Sequence, residues 1–298
     1  MSKPLKIINY AKGGIGNQLF QHIFGQSLAN KFNAEYYADI SSYSNDSYRN
    51  NPTVWDLMPE PKLMNIKEIN PIGSYFLIEE NYKNINDTLI LPQDVNILIL
   101  NGYWQSENYM NSFYVAQTYE YLVEKCKSIT NAELAESMAN HPNSIALHIR
   151  RKDYAHMGLC KYSYYIGAIE YLIESLKDYA IYLFSDEPNF AQHILIKQGI
   201  AFTYVHHEND LAVLYLMSLC KHFIISNSSF SFWGAYFGES RGGSIYCPRE
   251  WTTIDSTPSP LPNRWVQISD SITPYEINNF EKEKFKKEIK NIRFSSNI

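Results

Sequence analysis

The sequence predicts an α/β protein made of two Rossmann-like domains that face each other across a cleft. The chain opens with a strand, a glycine loop, a helix and a second strand. From residue 144, short apolar strands alternate regularly with helical stretches, which is typical of a parallel sheet. The 298 residues, of which 45% are hydrophobic, also suit two domains better than one. The predicted boundaries are 1–140, 141–270 and a C-terminal basic helix or tail at 271–298.

The first domain begins with LKIINY at 5–10, which predicts a buried strand, and the glycine loop AKGGIGNQ at 11–18. Apolar residues recur at helical spacing from Leu19 to Phe32 and predict a helix. The segment AEYYAD at 34–39 predicts a second strand, which completes a βαβ start.

Residues 41–95 show no dominant period and receive no assignment. The strand NILIL precedes NGYWQSENY, and residues 112–128 are predicted to be helical. The spacing of Thr130 and Glu133 is that of a capping box, which predicts a further helix to about Asn140.

The second domain is predicted from five apolar strands that alternate with helices centred near residues 170, 193, 215 and 233. The strand segments are SIALHI, AIYLFS, AFTYVH, HFIIS and GSIYC. A proline-rich loop and a charged helix, FEKEKFKKEIKNIRF, follow them.

Composition excludes several classes of protein. The net charge of −5 argues against general affinity for nucleic acid, although one local basic pocket for an anion is compatible with it. The four cysteines form no CxxC pair, so neither a zinc site nor a disulfide framework is expected. No apolar run approaches the roughly 18 residues that span a bilayer, and glycines interrupt the N-terminus before a signal-peptide core can form. We therefore expect a cytoplasmic protein with reduced thiols.

Polar side chains follow three strands of the second domain. Ligands of open α/β sheets bind outside the carboxyl ends of the strands, so these side chains are predicted to line one edge of the sheet. The residues are His148, Arg150, Arg151, Asp153, Ser185, Asp186, Glu187, Ser226, Asn227, Ser228 and Ser229.

Arginine suits a diphosphate because its planar fork donates two hydrogen bonds to neighbouring oxygens. The alternation of a strand end sends His148 and Arg150 to one side and Arg151 to the other. Arg150 is therefore the ligand candidate, and Arg151 is predicted to anchor Asp153. The alternative is that both arginines only form salt bridges with Asp153.

The segment ISNSSFSFWGAY places small polar residues where a strand turns into a helix. Backbone N–H groups and hydroxyls could bind phosphate oxygens there, or one serine could simply cap the helix. Asp186 in FSDEP could read a nucleoside through ribose hydroxyls or base N–H groups, or it could cap a helix.

The loop GGIGNQ suggests two interpretations. Gly14 and Gly16 follow a strand and Asp39 lies at a fitting distance, which resembles a dinucleotide-binding fingerprint. Leu19, however, occupies the position of the third glycine. We prefer a loop that brings backbone and the Asn17 amide close to a ligand in the cleft.

No metal site is expected, because the Asp-x-Asp pattern that announces a divalent metal in nucleotide-sugar transfer does not occur. The segment HHEND at 206–210 is explained more simply by capping of the next helix. Tyr103 and Trp104 follow a strand of the first domain and are predicted to face the cleft as sugar-binding aromatics, with a core position as the alternative.

At these residues the sequence resembles glycosyltransferase family 11, the bacterial α-1,2-fucosyltransferases, and shares motifs with the wider fucosyltransferase superfamily. The matching segments run in order along the chain: GGIGNQLFQ, NGYWQSENY, HIRRKDY, YYIGAIEYL, IYLFSDEP, LMSLCKHFIISNSSFSFWGAYF and CPREW. The resemblance implies a GT-B architecture, GDP-β-L-fucose as donor, inversion at the anomeric carbon and no metal or other cofactor.

The resemblance also implies roles for individual residues. Arg150 would bind the β-phosphate, His148 would contact the donor, and Asn17 would face the reaction centre. The α-1,6 branch is expected to carry a glutamate shortly after the Arg-Arg-x-Asp, whereas this chain has YAHMG. The base therefore stays open between His156, Asp153 and a water held by Asn17. The full donor-binding set is His148, Arg150, Ser185, Asp186, Asn227, Ser228, Ser229, Phe230, Gly14 and Gly16, and the acceptor-binding pair is Tyr103 and Trp104.

The expected acceptor, from the family alone, is an oligosaccharide with a terminal β-galactoside, free or lipid-linked. The C-terminal helix carries six basic and two acidic residues between 282 and 293. It is either a solvated helix end or a peripheral contact with an anionic membrane surface. Competing hypotheses for the whole chain are a transferase of another linkage, a non-catalytic nucleotide-sugar or glycan-binding protein, and an NAD-dependent oxidoreductase.

Overall fold

The computed structural model describes residues 4–44, 53–68, 75–80, 91, 94–152, 157–253, 259–269 and 271–273. Two parallel sheets form its framework. Asp153, His156 and the C-terminal helix lie outside the described residues, so the predictions for them stay predictions.

The first sheet has four parallel strands in the order β2-β1-β4-β3. Its strands are β1 (Lys6–Tyr10), β2 (Glu35–Asp39), β3 (Tyr75–Glu79) and β4 (Ile97–Asn101). The helices that precede the second sheet along the chain are α1 (Ile15–Lys31), α2 (Ser112–Lys127) and α3 (Ala132–Asn140), of which α2 contacts α6 (Asp210–Ser218) and α3 contacts β5 (Ser144–Ile149). In this sheet β2 lies on one side of β1 and β4 lies on the other, so the order in which the chain adds strands changes direction between β1 and β4. An open parallel sheet leaves a crevice at such a point.

The second sheet has six parallel strands in the order β11-β10-β9-β5-β7-β8. They are β5 (Ser144–Ile149), β7 (Ala180–Ser185), β8 (Thr203–Tyr204), β9 (His222–Ile224), β10 (Ile245–Pro248) and β11 (Val266–Ile268), and a separate pair is formed by β6 (Leu159–Cys160) and β12 (Ile272–Thr273). The helices are α4 (Tyr162–Glu174), α5 (Pro188–Lys197), α6 (Asp210–Ser218) and α7 (Ser229–Gly238). This is the doubly wound order of a Rossmann sheet, with the reversal between β5 and β9.

Two predicted helix starts were wrong by one or more residues. α1 begins at Ile15, so Gly16 and Asn17 lie in its first turn and not in the preceding loop. α3 is capped by Asn131, whose side chain accepts a hydrogen bond from the Leu134 N–H at 2.9 Å. Thr130 instead donates to the carbonyl of Cys126 at the end of α2, so the predicted capping box does not form.

The first turns of α1 and α7 pack directly against each other and join the two sheets. The ring of Phe20 lies 4.9 Å from the rings of both Phe232 and Trp233, measured between centroids. The Trp233 indole donates a hydrogen bond to the Gly16 carbonyl at 3.0 Å. These residues are fully or almost fully buried and belong to one continuous core. Within the described ranges, no helix has the length and hydrophobicity needed to cross a bilayer.

Candidate active site

The predicted site residues of the second sheet lie at its reversal point. His148 is near the end of β5, and Ser226 to Ser229 connect β9 to α7. Because β5 and β9 are hydrogen-bonded neighbours, their carboxyl ends are adjacent. The prediction that these segments share one edge of the sheet is confirmed.

His148 is a buried, neutral imidazole that faces α7. Its Nδ1 lies 2.8 Å from the Ser231 hydroxyl and 3.4 Å from the Ser226 hydroxyl. Burial, with a smaller contribution from the charge of Arg150, lowers the pKa of His148 to about 3. The imidazole is therefore uncharged at neutral pH and serves as a hydrogen-bonding group, not as a cation or a strong base.

Arg150 is held at the strand end by a carboxylate. Its Nε lies 3.3 Å from Asp186 Oδ2, and its side chain keeps 29% of its surface exposed. The same carboxylate accepts hydrogen bonds from the backbone N–H groups of Arg151 and Lys152, at 3.0 and 3.1 Å. Asp186 therefore fixes the start of the loop that carries Arg150, and the predicted contact of Asp186 with a nucleoside stays a prediction.

Asp210, at the start of α6, also faces this cation. Burial raises the pKa of Asp210, and the nearby charge of Arg150 partly offsets that rise. The sequence offered no reason to single out Asp210 beyond its position beside the cap Asn209, whose side chain accepts hydrogen bonds from the Leu211 and Ala212 N–H groups.

Arg151 points to the opposite side of the strand, as the alternation predicts. It is buried, its Nε donates to Glu187 at 3.1 Å, and its guanidinium lies 3.6 Å from the centroid of the Phe190 ring. Arg151 therefore ties the loop to α5 through Glu187 and Phe190, and its predicted contact with Asp153, which lies outside the described residues, stays a prediction.

Two residues predicted to bind the donor use their side chains inside the protein. The Ser185 hydroxyl donates to the Ile149 carbonyl at 2.8 Å and accepts from the Glu187 N–H at 3.0 Å. The Asn227 amide is fully buried and donates to the carbonyls of Gly158 and Trp251 at 2.9 and 3.1 Å. Both side chains therefore hold neighbouring loops in place, and their predicted contacts with the donor stay predictions.

The anion site predicted from SNSSFS falls at the start of α7 and stays a prediction. Ser228 has extended backbone and precedes the helix, and its side chain makes no capping hydrogen bond. The first N–H groups of any helix lack intrahelical partners, so those following Ser228 are the donors available here. Ser229 is almost fully buried, and the ring of Phe230 lies 5.6 Å from that of His148.

The start of α1 approaches the same place from the first sheet. A Cβ built on Gly16 would lie 2.3 Å from the backbone N of Phe230, whereas one on Gly14 would meet no atom within 4 Å. Gly16 is therefore required by packing against α7, and Gly14 borders open space. The predicted donor contacts of both glycines stay predictions. Asp39 is buried and accepts the backbone N–H groups of Ser41 and Ile66, both at 2.8 Å, so it does not serve a dinucleotide ribose.

Asn17 is connected to the second sheet by two residues that the sequence-based prediction missed. Its Oδ1 accepts a hydrogen bond from Gln105 Nε2 at 2.6 Å, and Gln105 Oε1 accepts from the Trp251 indole at 3.1 Å. Gln105 follows β4, so the rule that pointed to the other strand ends could also have identified it. Trp251, in CPREW, gave no such signal.

Tyr103 and Trp104 have opposite environments. Tyr103 is 37% exposed, and Lys12 Nζ lies 4.9 Å from its ring centroid. Trp104 is 0% exposed and packs against Phe24, with ring centroids 4.7 Å apart. The prediction that Trp104 faces the cleft was wrong because its ring fills the core of the first sheet.

A half-buried carboxylate shapes the backbone between these two aromatic residues. Glu80 accepts the N–H groups of Tyr103 and Trp104 at 2.7 and 2.9 Å. Burial raises the pKa of Glu80, and these backbone hydrogen bonds oppose that rise. Tyr103 is thereby held at the carboxyl edge of the first sheet, beside Lys12, whose Nζ donates to Asn101 at 3.0 Å.

The site as described combines Arg150, a neutral His148 and the first turn of α7 with Asn17 and Tyr103 from the first sheet. Its chemistry would suit an anion at the second sheet and sugar rings at the first. No cluster of three His, Cys, Asp or Glu side chains that could hold a metal occurs among the described residues.

Known structures share this fold. The fucosyltransferase NodZ from Bradyrhizobium matches with a TM-score of 0.53 and 12% identity, over 78% of this chain and 93% of NodZ. A variant of FUT1 from Arabidopsis thaliana in complex with GDP matches with a TM-score of 0.51 and 12% identity, over 88% of this chain and 76% of FUT1. Together with the two parallel sheets, these matches confirm the predicted GT-B type of fold.

Sequence comparison identifies the kind of enzyme. An α-1,2-colitosyltransferase from Escherichia coli is 26% identical over 289 residues, which cover 86% of this chain and 96% of that protein. The model of the family named glycosyl transferase family 11 matches residues 65–255. That span includes the Arg150 loop, the Ser228 turn and Gln105, and it confirms the resemblance found in the motifs. The chain is a glycosyltransferase, and it belongs to glycosyl transferase family 11.

Proposed function

We propose that this enzyme transfers L-fucose from GDP-β-L-fucose to the 2-hydroxyl of a terminal β-galactoside, with inversion and without a metal ion. The observation that carries the proposal is that Arg150, with 29% of its side-chain surface exposed, follows β5 while α7 follows the neighbouring strand β9, so both lie at the same edge of the sheet. Both features favour a diphosphate.

Departure of GDP requires stabilisation of negative charge on the β-phosphate. Arg150 would donate two parallel hydrogen bonds, and the N-terminus of α7 would add backbone N–H groups and its dipole. Asp186 holds the Arg150 loop through two backbone hydrogen bonds, so the guanidinium is oriented before the donor binds. Donors preorganised in this way supply charge stabilisation without a metal.

His148 would contribute as a neutral partner of the donor. Its depressed pKa means that the ring adds no positive charge beside Arg150. Its Nδ1 is engaged by the hydroxyls of Ser231 and Ser226, which fixes the ring plane. We assign it to positioning the donor and not to proton removal.

The reaction would proceed by direct displacement. The acceptor hydroxyl oxygen forms a bond to C1 of fucose on the face opposite GDP, the bond from C1 to the phosphate oxygen breaks, and the hydroxyl proton is released. The base candidates Asp153 and His156 follow Arg150 closely in the sequence. Replacing each with alanine and comparing kcat distinguishes them, since loss of the base lowers kcat at unchanged KM.

The acceptor would bind against the first sheet. Tyr103 offers an exposed ring, and Lys12 and Asn101 offer polar groups beside it. Sugar rings pack with their C–H faces on aromatic side chains while polar groups bind the hydroxyls. A surface glycan such as an O-antigen unit, free or lipid-linked, fits this arrangement.

The test is a reaction of the purified enzyme with GDP-fucose and either Galβ1-4Glc or Galβ1-3GalNAc. We expect saturable GDP release, a product whose anomeric proton coupling identifies an α-fucoside at the galactose 2-position, and undiminished activity in EDTA. Saturable binding of GDP-fucose without turnover, or a product fucosylated elsewhere, would refute the proposal.

The α-1,2-colitosyltransferase from E. coli suggests a second candidate donor. Its name specifies colitose, which is fucose without the 3-hydroxyl, so a colitosyl donor would present the same GDP to Arg150. A site that hydrogen-bonds the 3-hydroxyl rejects the deoxy sugar strongly, whereas a merely apolar site discriminates weakly. The ratio of kcat/KM for GDP-fucose and GDP-colitose therefore decides between the two donors.

A further inference from the structure

Gln105 is the middle member of a hydrogen-bond chain that crosses from the first sheet to the second. It donates to Asn17 Oδ1 at 2.6 Å and accepts from Trp251 Nε1 at 3.1 Å. Asn17 belongs to the first turn of α1, Gln105 follows β4, and Trp251 follows β10. The chain therefore joins the reversal point of the first sheet to the loop that follows β10 of the second sheet.

Trp251 fixes the orientation of both amides. An indole N–H can only donate, so the atom of Gln105 that faces it must be the carbonyl oxygen. The NH2 group of Gln105 must then face Asn17, and Asn17 must accept the hydrogen bond with its side-chain oxygen. No other assignment of the two amides satisfies all three groups, although oxygen and nitrogen of an amide look alike in shape.

This leaves Asn17 with its NH2 group directed away from Gln105. That group lies against the backbone of Gly13, where a Cβ would come within 2.5 Å of Asn17 Nδ2. Gly13 has a φ of +76°, a conformation that favours glycine, and the absence of a side chain there makes room for the Asn17 amide. The outward group of Asn17 is a hydrogen-bond donor, because the oxygen of the same amide is turned to Gln105.

The chain also reaches the phosphate end of the site. The Trp251 carbonyl accepts a hydrogen bond from the buried amide of Asn227 at 3.1 Å. Asn227 immediately precedes Ser228, where α7 begins. The orientation of Asn17 is thus linked by direct contacts to the turn that would bind the diphosphate.

We propose that Gln105 is a positioning residue, locked by Trp251, that keeps the Asn17 carboxamide turned so that it donates a hydrogen bond to an oxygen at the reaction centre. The inference rests on the proposed function, in which the acceptor and phosphate oxygens meet between the two sheets. It also excludes Asn17 as a group that accepts the acceptor's proton.

The decisive variant is Gln105→Glu. The introduced carboxylate still accepts from Trp251, but its second oxygen repels Asn17 Oδ1. Asn17 should then turn over, donate to that carboxylate and present its oxygen to the site. We expect kcat at pH 7.5 to fall by about tenfold to a hundredfold, as for other misplaced groups, with KM for GDP-fucose within about threefold.

The pH dependence distinguishes orientation from general damage. A protonated glutamic acid can donate to Asn17 Oδ1 as glutamine does, so kcat of Gln105→Glu relative to wild type should recover as pH falls from 7.5 to 5. The matched control, Gln105→Met, has similar length and no titratable group, and its relative kcat should stay low across that range. A flat ratio for Gln105→Glu, or wild-type kcat at pH 7.5, would overturn the proposal.

A second readout does not depend on activity. In protein labelled with 15N-asparagine, the NH2 resonances of Asn17 are assigned by their loss in Asn17→Asp. They should move in Gln105→Glu at pH 7.5, because the NH2 group then donates to a carboxylate. Unchanged resonances would refute the orientation. A wild-type enzyme inactive with both GDP-sugars would refute only the proposed function.

Discussion

Replacing Gly16 with alanine should weaken the joint between the two sheets. The new Cβ would lie 2.3 Å from the Phe230 nitrogen and the Ser229 carbonyl carbon, and 2.7 Å from the Ser229 oxygen. All three are backbone atoms, so no side chain can rotate away. α1 and α7 must therefore separate by about 1 Å to restore ordinary contact.

The cost can be worked out from the contacts that this separation stretches. The hydrogen bond from Trp233 to the Gly16 carbonyl, at 3.0 Å, would be broken or bent, which costs about 1 kcal/mol or more in a buried setting. Overpacking of a close contact adds about 1–3 kcal/mol. The contacts of Phe20 with Phe232 and Trp233 loosen as well. We expect a loss of about 3 kcal/mol, which lowers Tm by roughly 5 °C in a protein of this size.

The assay is thermal unfolding of Gly16→Ala beside its matched control, Gly14→Ala. Gly14 has a φ of −74° and open space around its Cβ direction, so its Tm should stay within about 1 °C of wild type. Displacement of Asn17 relative to α7 should also lower kcat of Gly16→Ala by about a hundredfold. Equal Tm values for the two variants would refute the assigned contact between α1 and α7.

Three further predictions address charge, burial and the acceptor surface. Arg150→Ala should lower kcat by about a hundredfold and Arg150→Lys should restore little of it, because an ammonium does not replace a planar fork; near-normal turnover of either variant would contradict the phosphate assignment. Burial lowers the pKa of His22 to about 4. Between about pH 6.5 and pH 4 the unfolded chain therefore binds a proton at His22 that the folded chain does not, and the free energy of unfolding falls as pH falls through that window. His22→Phe should flatten the acid decline of Tm, and an unchanged slope would show that His22 does not cause it. Tyr103→Ala should raise the acceptor KM at constant Tm, whereas Trp104→Ala should lose about 3–5 kcal/mol of stability; the reverse pattern would place Trp104 and not Tyr103 at the acceptor.

Much of the fold was predictable because parallel strands buried on both faces appear as short apolar runs. SIALHI and AIYLFS match β5 and β7 residue for residue. The start of α1 was missed because Gly16 has low helix propensity. Only the distant α7, which leaves no room for a side chain there, explains why a glycine lies in the first turn of a helix.

The sequence predicts well which segments meet at the site. It predicts less well which side chains of those segments face the ligand. The alternation of β5 correctly separated Arg150 from Arg151. Ser185 and Asn227 were assigned to the ligand because small polar residues at strand ends serve two purposes. They bind ligands, and they satisfy backbone groups of the turns around them. Sequence spacing does not distinguish these uses, since the partners lie far away along the chain.

The contact between Gln105 and Trp251 is the part of the site that is hardest to predict from the sequence. They are separated by 146 positions and belong to different sheets, yet one donor-only indole determines which way two amides point. Interfaces between domains usually allow relative motion unless they are large and apolar. Here the buried contact of Phe20 with Phe232 and Trp233 lies beside the Asn17 chain. Because a fixed joint keeps hydrogen-bonding groups from both sheets in register, the apolar packing of α1 on α7 is a precondition for the polar chain that orients Asn17.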